Sequence, residues 1–111
     1  MSDLDKLIEA IEAATLPEPI FHGSSSVRGH WSYTTGLDAG QRRSVFMAYN
    51  GSLDAAKALH DALLPGWGWA ISADGASVYG DDPKVYDVDN AHIPARAWLL
   101  AILKAYRETQ P

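Results

Sequence analysis

The chain has 111 residues, 47% of them hydrophobic and 21% charged, the range of one ordinary globular domain burying about 65% of the surface its unfolded chain exposes. Fourteen acidic against nine basic side chains leave a net charge of −5, which argues against a general binder of phosphate backbones because few counterions would be released. The absence of cysteine excludes disulfide frameworks, thiolate zinc sites and cysteine nucleophiles together, and no apolar run approaches the roughly 18 residues of a bilayer span.

Ser2 to Ala14 reads as a first helix, with Leu4, Leu7, Ile8 and Ile11 on one stripe and Asp5, Lys6, Glu9 and Glu12 elsewhere. Ser2 and Asp5 have the spacing of a capping box. This opening is amphipathic and acidic, without the charged and apolar regions of a signal peptide, so a soluble protein of the cell interior is expected. Pro17 and Pro19 stop the helix.

The next thirty residues carry weaker signals. Gly23 to Ser26 is loop by composition, and Val27, Gly29, Trp31 and Tyr33 alternate with polar residues as a half-buried strand does. Thr35 to Gln41 is expected to turn. Arg43 to Tyr49 is read as a second strand, with Val45, Met47 and Tyr49 facing one way.

From Ser52 the pattern sharpens. Ser52 can cap a helix, Asp54 lies in its first turn, and Leu53, Ala56, Leu59 and Leu63 recur at helical spacing. Pro65-Gly66 ends it. Trp67, Trp69 and Ile71 then alternate with small residues as a strand, and Asp74-Gly75 is a strong hairpin signal. A turn there sets Ile71 opposite Val78 and Trp69 opposite Gly80, with an indole over the glycine. Gly80 to His92 reads mostly as loop, with a short edge strand at Val85 to Val88. Pro94 suits the first position of a last helix running to about Thr109. Its stripe is Ala95, Trp98, Leu99, Ile102, Leu103 and Tyr106, with Arg96, Lys104 and Arg107 opposite. Leu100 falls among the three cations, so it is either partly exposed or covered by another element, and it suggests a small self-contact in a homodimer. Trp67, Trp69, Trp98 and Tyr106 are expected in the core. The whole is an α+β domain spanning residues 1–111, a small antiparallel sheet packed with three helices.

The run Tyr49-Asn50-Gly51-Ser52-Leu53-Asp54-Ala55-Ala56, followed by Leu59 and Leu64-Pro65-Gly66-Trp67-Gly68-Trp69, resembles a family of small phage and prophage proteins, the phage ABA (alpha-beta-alpha) sandwich domain. Ala95 to Tyr106 is similar to that family's Ala/Leu-rich closing helix, and Leu7 to Thr15 to its opening helix. The stretch from Phe21 to Phe46 has no clear counterpart, and the Asp-rich loop is longer than the family pattern. The resemblance implies a phage or prophage origin, a helix-sheet-helix layered arrangement and the host cytoplasm as the place of action. It carries over no catalytic residues.

Chemistry is harder to find. His22, His30, His60 and His92 share no ligand spacing, and an ordinary surface or boundary position is expected for His60. Asp87-Val88-Asp89-Asn90 offers calcium-type oxygens, but the glycine at the sixth position of a calcium loop and its closing glutamate are missing. Gly23 to Gly29 has the hydroxyls, backbone N–H groups and guanidinium of a phosphate cradle, without the Walker lysine. No metal, cofactor or catalytic set is therefore expected.

Five aspartates from Asp74 to Asp89 against one Lys84 make a negative surface instead. The favoured expectation is a non-enzymatic protein-binding module that docks on a host or phage protein through Asp81, Asp82, Asp87 and Asp89 and neighbouring exposed aromatics, with Leu100 as a further contact residue, such as an inhibitor of a defence complex. Neither nucleic-acid backbone nor membrane is an expected partner. The rival expectation is sequestration of a nucleotide or other small ligand near Arg28, Trp31 and Arg43.

Overall fold

The structure, a computed structural model, describes residues 3–13, 37, 39–72, 75–80, 85–89 and 93–109. Its elements in chain order are α1 (Asp3–Glu12), α2 (Ala39–Tyr49), α3 (Leu53–Leu63), β1 (Gly68–Ser72), β2 (Gly75–Tyr79), β3 (Val85–Asp89) and α4 (Pro94–Thr109). This is the expected α+β class, a small antiparallel sheet packed against helices, with four helices among the described residues where three were expected.

The additional helix is α2, and it corrects the strand expected at Arg43 to Tyr49. A strand would bury Val45, Met47 and Tyr49 alike. Instead Val45, Ala48 and Tyr49 are buried while Met47 is 46% exposed, which is the three-and-four spacing of a helix face. The strand expected at Val27 to Tyr33 lies outside the described residues.

The joint between α2 and α3 explains the most distinctive stretch of the sequence. Ser52 N–H donates to the Met47 carbonyl and Gly51 N–H to that of Ala48, the paired bonds of a Schellman stop, with Gly51 at φ 110°. Ser52 then serves the next helix, its Oγ accepting from Ala55 N–H at 3.1 Å. Asn-Gly-Ser thus ends one helix and begins another with no spacer. Beyond α3, Trp67 N–H donates to the Leu64 carbonyl across Pro65-Gly66, with Gly66 at φ 84°, the pattern of a type II turn.

The sheet runs β1-β2-β3, antiparallel throughout. Ser72 pairs with Gly75, where a turn at Asp74-Gly75 would set it opposite Ser77, so each opposite residue moves by two. Trp69 faces Val78 and Ile71 faces Ala76. A shift of two preserves the faces, so the assignment of inner and outer residues survives the correction. The aromatic-over-glycine contact also survives, with other partners and twice over. Trp67 covers Gly80, where an added Cβ would sit 2.7 Å from the indole Cε2, and Tyr79 covers Gly68 on the opposite face.

Helix α4 is the centre of the molecule. It packs on β2, β3 and to a lesser extent β1 with one side, and on α3, α1 and α2 with the rest. Ala97 to Leu103 are buried without interruption, as a helix with neighbours all round requires. Leu100 is accordingly 8% exposed and part of the core, so cover by another element is the option realised. Among the described residues, the second helical layer lies behind α4 and not across the sheet. The expected aromatic core holds for Trp98, buried, and for Trp67 and Tyr106, partly buried against it. Trp69 on the edge strand keeps 41% exposure, although its ring centroid lies 4.6 Å from that of Trp98.

Candidate protein-binding face

The sheet has two unlike faces. Toward α4 it turns Ile71, Ala76, Val78, Tyr86 and Val88, the side chains that meet the core, and Trp69, whose ring meets Trp98. Away from α4 it turns Ala70, Ser77, Tyr79, Val85 and Asp87, and here the described residues supply no covering element. Tyr79 and Val85 stand directly opposite each other on adjacent strands, 44% and 48% exposed. Two such side chains in cross-strand contact form an apolar step on an otherwise polar surface. The Tyr79 ring reaches across to lie beside Gly68 of the neighbouring strand.

Beside this step, Asp87 is exposed and accepts a hydrogen bond from the Ser77 hydroxyl, the residue opposite it. Asp89 is paired with Gly75 in the same ladder. Asp81 and Asp82 belong to the connection between β2 and β3 and lie outside the described residues, as do Arg28 and Trp31. Arg43 is exposed on α2. Leu100, expected at a self-contact, is enclosed in the core and offers nothing to a second copy, which corrects that assignment. Of the expected binding residues, the structure therefore places Asp87 on the exposed sheet surface and Leu100 in the core.

The cations lie elsewhere. Every described lysine and arginine is on a helix, and the three strands contain none. Most of their heads are held within the helical side. Lys104 pairs with Glu12 at 3.0 Å, Arg107 with Asp5 at 2.8 Å, and Lys57 with Asp61 at 2.6 Å. Arg42 donates to the Leu37 carbonyl at 2.7 Å. Arg96 donates from Nε to the Tyr49 carbonyl at 3.0 Å and sets its guanidinium 4.0 Å from the centre of that tyrosine ring. The basic far side of α4 is a set of clamps to α1 and α2.

His60 is the one buried polar side chain among the described residues, 1% exposed, which corrects the surface or boundary position expected for it. Its Nδ1 accepts from the Trp98 indole N–H at 3.2 Å. That bond assigns the ring proton to Nε2, which lies 2.9 Å from the Trp67 carbonyl and donates to it. Both nitrogens are hydrogen-bonded, so the ring ties α3 to α4 and to the residue just before β1. Among the described residues no three His, Asp or Glu side chains come together as a metal site. No described helix is long and apolar enough to cross a membrane.

Residue-by-residue reading missed Tyr79 and Val85. The usable signal was the pair of dipeptides Trp67-Gly68 and Tyr79-Gly80, because each aromatic needs a glycine opposite and only one register supplies both. Comparison of the chain with protein-family models, with curated proteins and with solved structures gives no match.

Proposed function

We propose that this chain is a non-enzymatic protein-binding module that docks through an acidic surface built on the β2–β3 hairpin. The observation that carries the reading is the segregation of charge: described cations sit on helices and are largely engaged there, while the strands hold aspartates and no cation. A like-charged face opposite a basic partner speeds encounter and rejects acidic competitors. The resemblance of Tyr49 to Trp69 to the phage ABA sandwich domain supports a phage or prophage origin, and with it a host protein, such as a component of a defence complex, as the partner in the host cytoplasm.

Reversal of Asp81, Asp82, Asp87 and Asp89 to lysine tests this reading. The variant is expected to keep the far-ultraviolet circular dichroism of the parent and to lose the host protein that the parent retains in a pull-down from host extract. Unchanged capture by the folded variant contradicts the proposal.

A further inference from the structure

The outward sheet face combines three features that the acidic charge alone would not provide. Tyr79 and Val85 form an exposed apolar step, the Tyr79 ring rests beside Gly68 of the adjoining strand, and Asp87 lies diagonal to Tyr79 across the β2–β3 ladder. An exposed tyrosine, with only two χ angles to order, is a binding anchor of low entropic cost. Diagonal positions on adjacent strands are about 7–8 Å apart, a span that one arginine side chain can bridge, its guanidinium over the ring and its N–H groups toward the carboxylate.

We infer that this face, the Tyr79–Val85 step with Asp87, is the docking surface, and that its occupant is a protein segment presenting an arginine beside an aliphatic side chain. The inference rests on the protein-binding reading and names the patch and the partner chemistry within it. Charge selects among occupants: a second copy of this chain would set aspartate against aspartate, with no strand cation to relieve it. An acidic or purely apolar segment leaves Asp87 facing either a like charge or no charge. Arginine is favoured over lysine because its planar head both stacks on a ring and pairs with a carboxylate.

The test is amide chemical-shift mapping of the full-length, isotope-labelled protein with a blocked pentapeptide alternating arginine and valine, and with its lysine and glutamate counterparts as controls. Saturable shifts are expected at Gly68, Ser77, Tyr79, Val85 and Asp87, with the arginine peptide binding more tightly than the lysine one and the glutamate one not at all. Tyr79→Thr and Asp87→Asn, each with an otherwise unchanged spectrum, are expected to weaken the arginine peptide by about 2- to 5-fold. Shifts that map to helical carboxylates such as Glu9, Asp54 or Asp61 overturn this assignment while leaving acidic docking intact. Absence of any saturable shift overturns it as well, and loss of the broader reading is then decided separately by the charge-reversal pull-down.

Discussion

At the scale of single residues, His60 and the two aromatic-glycine pairs carry consequences out of proportion to their size. Replacing His60 by alanine opens a cavity and strands both the Trp98 N–H and the Trp67 carbonyl in a buried setting. The expected loss is about 3 kcal/mol, read from the urea midpoint, and Trp98→Phe in the same background is expected to add less than its separate cost because the two share one bond. The glycines should differ from each other. Gly80→Ala meets the half-buried Trp67 indole and is expected to cost about 1–3 kcal/mol, whereas Gly68→Ala meets the exposed Tyr79 ring, which can swing outward, and is expected to cost under about 1 kcal/mol. His60 was not legible as a core residue, because a histidine next to Asp61 on the margin of an apolar stripe looks like a surface residue until the indole donor arrives from Trp98, 38 positions away.

At the scale of elements, the α2–α3 joint is where local sequence and structure agree most closely. At Gly51, φ 110°, an added Cβ would meet only Ile93 Cγ2 at an ordinary contact distance of 3.8 Å, so the cost of Gly51→Ala is backbone strain, about 1–2 kcal/mol by thermal or urea unfolding. Ser52→Ala removes the cap of α3 and is expected to cost about 1 kcal/mol. Caps, prolines and turn glycines act within a few residues, and α1, α3, β1, β2, β3 and α4 were legible for that reason. Helix α2 was not. Its polar half, Gln41 to Ser44, is followed by an unbroken Val45 to Tyr49, and seven residues fit either period when Val45 and Tyr49 belong to both faces. Burial of Ala48 in place of Met47 decides it, and that is a tertiary fact. The hairpin register failed for a related reason: Asp74-Gly75 is a sound turn signal, but packing of the half-buried Trp67 over Gly80 goes with a register two residues away from the one that turn implies.

At the scale of the whole molecule, the design is a central apolar helix with helices on one side, α1 clamped to it by ion pairs and α2 by Arg96, and a sheet on the other. The seven apolar residues from Ala97 to Leu103 announced this in the sequence, since no surface helix lacks a polar face for two turns; reading Leu100 against its cationic neighbours hid it. The clamps themselves are partly exposed, and Arg107→Ala is expected to cost no more than about 1 kcal/mol, decreasing further in salt. What this architecture leaves over is the outward sheet face. The central claim is that Tyr79, Val85 and Asp87 are spare to the fold and present for binding. The most direct measurement is the urea-unfolding free energy of the triple variant Tyr79→Thr, Val85→Thr, Asp87→Asn, which keeps strand propensity while removing the step and the charge. The account predicts a change within about 1 kcal/mol of the parent. A loss above about 3 kcal/mol, the signature of side chains packed in a core, would contradict it.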